Sequence, residues 1–259
     1  MNKMNKKIEK LLLDKGADIV RFVDISELLP EETRGFNSAI VICKAYSREF
    51  LQAQLNGEDT EQDEFVDNER ETEAIADWLA DYLASKGYRA FSQSEEGIIN
   101  EGHYIEESEF TSLPNKTLGF MAGIGFMGKN NLLINEEYGC AFSICCVLTF
   151  APVETENYPL LSSMCGECDI CKKVCPKGAI LGNEWSDDIG REGVIDIFKC
   201  ASSSRCIVHC PFTARYAESN LTINEKRKSD FIERYIFDVT KRLQESQAEE
   251  DKQEFPSEK

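Results

Sequence analysis

Long apolar runs are missing from this sequence. Nothing approaches the roughly 18 consecutive apolar residues that a membrane-spanning helix needs. The N-terminal MNKMNKKIEKLLLDKG is basic, but its apolar run is only Leu11–Leu13, too short for the core of a signal peptide. A cytoplasmic protein is therefore expected. Positive charge is also scarce: 29 Lys+Arg stand against 47 Asp+Glu, a net charge of −18. That balance argues against a nucleic-acid partner or an anionic membrane surface, since both call for basic surface. Histidine occurs only twice. Apolar residues are not lacking: at 42% of 259 residues they suffice for a core, and the length suits one large domain or two small ones.

Eleven cysteines are present, and seven of them fall between Cys165 and Cys210. A secreted disulfide scaffold is usually shorter and denser in cysteine, and clustered thiols in a reducing compartment more often bind metal. Cys165-Gly-Glu-Cys168-Asp-Ile-Cys171-Lys-Lys-Val-Cys175-Pro176 has the spacing C-x2-C-x2-C-x3-C-P. This is the bacterial ferredoxin run. Its two-residue spacers let one tight loop aim three thiolates at three corners of an iron–sulfur cube, and the following helix carries the fourth away. A structural zinc site is the alternative, but zinc prefers two separated pairs of ligands.

In two-cluster proteins the fourth cysteine of each run ligates the other cluster. Cys175 thus predicts a second group, and Cys200-Ala-Ser-Ser-Ser-Arg-Cys206-Ile-Val-His-Cys210-Pro211 supplies it. By symmetry Cys165, Cys168, Cys171 and Cys210 hold cluster one, while Cys175, Cys200 and Cys206 hold cluster two. Cluster two is one ligand short, because Ser203 stands where a full run has cysteine. Ser203, His209 or a distant cysteine is the fourth ligand, or the cluster has three irons, or one iron site stays open. Cys43, Cys140, Cys145 and Cys146 read as small buried hydrophobes. No other internal repeat is evident.

Upstream, residues 4–15 read as a helix with Ile8, Leu11 and Leu12 on one face. Asp18–Asp24 and Ala39–Tyr46 read as strands. Residues 57–73 are acidic and read as a solvated loop entering a helix. Ile75, Trp78, Leu79, Tyr82 and Leu83 form a helical core stripe that Gly87 ends. Tyr88–Gln93 reads as a strand, residues 94–112 as a polar loop, and Leu113–Gly123 as a helix entered through Pro114. In the AGIGFMGKNNLLI segment (122–134), Gly123, Gly125 and Gly128 permit close backbone approach and Lys129 can meet an anion. Ala141–Phe150 reads as a strand buried on both faces. Phe231, Tyr235, Ile236, Val239 and Leu243 suggest a C-terminal helix packing one stripe, with a frayed charged tail at 245–259.

The segment from Leu113 to Cys210 resembles the epoxyqueuosine reductase family, its shorter relatives, and the related reductive dehalogenases. The stretches LPNKTLGFMAGIGFMGKNNLLI (113–134) and EYGCAFSICCVLTFAPVE (137–154) follow the family pattern. So does the cysteine run with Gly182, Trp185, Arg191, Glu192, Asp196 and Cys200. The resemblance implies an α+β fold: a nitroreductase-like corrinoid-binding domain (1–157), a ferredoxin-like module with two 4Fe–4S clusters (158–216), and a C-terminal helix with an acidic tail (217–259). It implies a cobalamin lined by Gly123, Gly125, Gly128, Lys129 and Asn130 and reduced through the clusters. A donor such as ferredoxin or flavodoxin would supply the electrons.

The departures are specific. Thr111 stands at the place of the family's general-acid aspartate, Asn115 where relatives often carry His, and Phe150 where they carry Asp. The tRNA-binding C-terminal repeat domain is expected to be absent. These features imply that the substrate, a small molecule or a protein, is not tRNA epoxyqueuosine. Lys116 and His103 are the candidate catalytic residues. Lys226-Arg227-Lys228 reads as a solvated helix start rather than an RNA site. An electron carrier or reductive activator without corrinoid is the competing function. A purely structural metal module is disfavoured, because it needs no companion of some 150 residues.

Overall fold

The chain was analysed as a computed structural model that describes residues 1–108, 110–218 and 225–254. For Phe110 and residues 225–231 and 247–254 it describes the backbone alone. The Lys226–Lys228 cluster and Phe231 therefore lie outside the described side chains, and the end of the tail lies outside the described residues.

The elements follow in order. The first half holds α1 (Lys3–Leu13), β1 (Ile19–Asp24), α2 (Pro30–Thr33), β2 (Ser38–Ala45), α3 (Arg48–Asn56), α4 (Glu64–Ser85), β3 (Ala90–Ser92) and α5 (Glu95–Asn100). Next come β4 (Tyr104–Ile105), β5 (Phe110–Thr111), α6 (Asn115–Met121), β6 (Phe126–Met127), β7 (Leu133–Ile134) and β8 (Phe142–Thr149). The cysteine region carries α7 (Ile170–Val174), α8 (Arg205–Val208), α9 (Pro211–Glu218) and α10 (Glu225–Glu254).

One four-stranded antiparallel sheet, ordered β1-β2-β8-β3, organises the molecule. Alternation along β2 and β8 sorts their side chains onto two faces. Ile40, Ile42, Cys145 and Val147 meet Ile8 and Leu12 of α1 and Leu79 and Leu83 of α4. Val41, Cys43, Cys146 and Leu148 meet Leu118 of α6, Met127 and Leu133. Both faces are covered, so β8 is a continuous apolar run. Each fully buried aliphatic side chain stabilises the fold by about 1.5–3 kcal/mol.

Two local expectations change. Residues 94–112 contain α5, a short 3-10 turn and the β4–β5 hairpin rather than a loop. The Ser94 side chain caps α5 by accepting from the Gly97 N–H and donates to Asp77 Oδ1 at 2.8 Å. These elements are short and largely exposed, so they leave no periodic pattern. Pro114 is the N-cap of α6 rather than its first turn, and the helix is correspondingly shorter.

The cysteine region is tied to the sheet at two places. Tyr216 of α9 packs on Tyr46, Phe50 and Leu51, and its hydroxyl donates to the Tyr46 carbonyl at 3.1 Å. Gly139, at φ +64°, lies directly on the Thr213 backbone, where a Cβ has no room. On α10, Val239 with Tyr235, Ile236 and Leu243 covers Ile170 and Val174 of α7, as the apolar stripe predicted.

Candidate functional site

The turn from Cys165 to Cys168 closes through the Cys168 N–H donating to the Cys165 carbonyl at 2.9 Å. Helix α7 then presents Cys171 and ends at Cys175. Cys165, Cys168 and Cys171 line one cavity together with Cys210, the residue before α9. Cys175 is not among them. It lines a second cavity with Cys200 and Cys206. The seven clustered cysteines therefore divide four and three.

The surroundings of each set are specific. The Lys129 ammonium donates to the Gly166 and Cys168 carbonyls, which fixes the loop of the first three cysteines. Burial pushes the Cys165, Cys168 and Cys171 thiols up. The neighbouring Cys140 and Cys210 thiols hold Cys210 low and Cys140 high, and the Cys140 sulfur donates to the Ile207 carbonyl at 3.8 Å and lies 3.4 Å from Thr213 Oγ1. Cys140 is thus more than core filler. Asn130, itself buried, donates to the Cys140 sulfur at 3.5 Å and to the Cys206 carbonyl at 3.4 Å, and it borders both cavities. At Cys175, burial pushes the thiol up, but backbone N–H groups at 177–180 outweigh it and bring the thiol below its ordinary value. One of them, on Ala179, stands 3.3 Å from the sulfur.

The second cavity is a chamber of about 510 Å³. Besides its three cysteines it is lined by Ser202, Ser203 and Ser204, and by Tyr46, Phe142, Ile144 and Lys116 from the sheet side. Tyr46 Oη and Ser143 Oγ lie 3.3 Å apart. Lys116 donates to the Asn131 carbonyl at 3.2 Å. Burial, with a smaller contribution from Arg191, brings the Lys116 ammonium down to about 8.

The sequence candidates are distributed unevenly. Lys116 is in the chamber. His103 is not: it lies edge-on to Phe91 in a shallow cleft with Arg34 and Glu101. Of the five loop residues expected to line a corrin, Asn130 alone borders the chamber. Gly125 abuts the Ile134 backbone across the β6–β7 hairpin, Gly128 abuts the Ile134 side chain, and Gly123 lies against Tyr158. His209 faces a different cleft, shared with Arg205 and Arg242. Thr111 Oγ1 and Asn115 Oδ1 are buried without a hydrogen-bond partner. Sequence reasoning missed Tyr46, Ser143 and the role of Cys140, because their partners lie far away along the chain.

Among the described residues no three His, Cys, Asp or Glu converge on one ion. A cube is not such a point: each corner iron takes its own thiolate, and the sulfurs stand apart around the cage. Two cavities, each lined by its own cysteines, fit that donor geometry.

The epoxyqueuosine reductase of Listeria monocytogenes is 44% identical over 61 residues, 24% of this chain and 16% of that protein. The enzyme of Lactococcus garvieae is 30% identical over 108 residues, 41% of this chain and 30% of that protein. Over these segments the chain is similar to the epoxyqueuosine reductases. The matched segments span less than a third of these curated relatives. No family model matches the chain. In fold, it is similar to a reductive dehalogenase whose structure suggests a mechanism for B12-dependent dehalogenation, with a TM-score of 0.60, 18% identity and coverage of 87% of this chain and 35% of that one. It is also similar to the epoxyqueuosine reductase of Streptococcus thermophilus, with a TM-score of 0.54, 15% identity and coverage of 82% and 67%. The mixed α/β fold of these two families is therefore the fold of this chain.

Proposed function

We propose that the protein is an iron–sulfur reductase that passes electrons through two 4Fe–4S clusters into the chamber beside Cys175, Cys200 and Cys206. The division of seven cysteines between two cavities carries this reading. Cys171 and Cys175 sit on one short helix yet line different cavities, as the two-cluster pattern requires. Cluster one is held by Cys165, Cys168, Cys171 and Cys210. The work divides among residues 1–157, 158–216 and 217–259 as the sequence suggested. Among the described residues no helix is long and apolar enough to cross a membrane, and we place the protein in the cytoplasm.

The chamber is the place for the electron acceptor. A corrinoid there would supply a low-valent, strongly nucleophilic cobalt. Tyr46, Phe142 and Ile144 would hold its apolar faces, with Asn130 and Lys116 at polar substituents. The cubes position and deliver electrons, while Lys116, near 8, is able to give a proton close to neutral pH. The electrons come from a small carrier such as ferredoxin or flavodoxin. The substrate is a small molecule or protein rather than tRNA epoxyqueuosine: Thr111 cannot act as a carboxylic acid, and a charge of −18 repels a polyanion.

One observation favours a carrier without corrinoid. Gly123, Gly125, Gly128 and Lys129 are engaged with the protein itself, so they form no open cradle. Metal analysis of protein made anaerobically with cobalamin supplied separates the two. About eight iron and about one cobalt per chain support the corrinoid reductase. Full iron without cobalt supports the carrier, and zinc in place of iron refutes both.

A further inference from the structure

The chain has eleven cysteines, and the fold gives each a place. Four line the first cavity and three the chamber. Cys43, Cys145 and Cys146 are fully buried in the sheet, against its two helical layers. Cys140 is buried against Cys210 and Thr213 and borders neither cavity. No cysteine remains to complete cluster two. His209, the other strong donor nearby in sequence, faces the cleft with Arg205 and Arg242.

Ser203, which stands in sequence where a full run has cysteine, lines the chamber between two residues of unusual backbone. Ser202 and Ser204 both have positive φ, 48° and 55°, a region L-residues rarely adopt. This winding brings all three serines to the chamber wall. Lys116 and Glu69 are the only charged side chains that line it among the described residues. An iron with three sulfide neighbours and no thiolate is a Lewis acid that takes hard oxygen donors, and an ammonium lining the same chamber favours an anionic one.

Resting on the two-cluster reading above, we propose that cluster two keeps one iron without a protein ligand, and that this iron, with Lys116 and the serine hydroxyls, binds a carboxylate-bearing small molecule in the chamber. The cluster is then part of the binding site as well as of the electron path.

The test uses the anaerobically assembled holoprotein, with ferricyanide as oxidant and citrate as probe. Oxidation of an open-corner [4Fe–4S]2+ cube releases Fe2+, passes one electron to ferricyanide and leaves [3Fe–4S]+, which electron paramagnetic resonance detects. About one of eight irons is lost per chain, and ferrous iron under reducing conditions restores it. Ser203→Cys supplies the missing thiolate and abolishes this conversion. Ser203→Ala leaves it as in the wild type. Citrate shifts the spectrum of the reduced wild-type cluster but not that of Ser203→Cys, and Lys116→Gln weakens the citrate effect about tenfold.

Wild type that holds about eight iron and yields no three-iron species overturns the open corner while leaving the two-cluster reading intact. Conversion in Ser203→Ala but not in the wild type identifies the serine as ligand and overturns it equally. Absence of a citrate shift overturns the carboxylate site. Protein that assembles only about four iron overturns the two-cluster reading and this inference with it.

Discussion

The sheet and the cysteine segment use the same residue in opposite ways. In the sheet, Cys43, Cys145 and Cys146 are fully buried, and burial pushes their thiols far up. They act as small hydrophobes that no metal reaches. In the segment from 158 to 210, the cysteines border cavities, and regular structure is limited to short helices and turns. Large apolar side chains stay in water there: Leu160 is 62% exposed, Met164 52% and Phe198 70%. The segment's buried apolar side chains are few and local, among them Ile170, Val174, Ile180, Val194 and Val208. On the proposed reading, clusters held by its cysteines would add to that packing, since ligand binding and folding are one equilibrium in such segments. The environment, not the residue type, decides what a cysteine does.

The strongest way to break the comparison is Cys171→Ala. It should remove about half the iron and open the segment from 158 to 204 to proteolysis, while the sheet keeps its far-ultraviolet dichroism. Simultaneous melting of the sheet would show that the two regions share one source of stability. Leu148→Ala is the converse. Leu148 is fully buried at the centre of the sheet, and the change should cost about 2–5 kcal/mol in denaturant unfolding with iron per folded chain unchanged.

Lys116 lies at the seam. Its folded value, about 8, is below the unfolded value, so the folded state binds fewer protons between the two. Stability should therefore rise as pH climbs from about 8 towards 10.5, on the order of 1–3 kcal/mol. Lys116→Met should flatten that rise in unfolding titrations at pH values on either side. Cys140→Ala removes the buried thiol packed with Cys210, so redox titration should find the proposed cluster one at a potential shifted by tens of millivolts, roughly. Cys43→Ala is the mildest change: about 1 kcal/mol of stability and no iron.

Much of the fold was legible in sequence because its strongest signals are local. The apolar run of β8 and the stripe on α4 announce a buried strand and a packed helix whatever surrounds them. The C-x2-C-x2-C-x3-C-P spacing is likewise set by covalent reach. The α5 and β4–β5 elements were not legible, since they are too short to show a periodic pattern. The glycine loop reads two ways in sequence, for a different reason. Gly125 answers to the backbone of Ile134 and Lys129 to the carbonyls of Gly166 and Cys168, demands that look the same in sequence as a cradle for a ligand.

The chain alone carries the number and spacing of the cysteines, the acidic charge and the alternation that builds the sheet. Only the tertiary structure decided that Lys116 enters the chamber and His103 does not, that Cys140 faces Cys210, and that His209 turns away from Cys206. Spacing along a chain fixes what neighbours within a few residues can reach. The walls of a cavity are drawn from segments as distant as Tyr46, Lys116 and Ser203, and it is packing that brings them together.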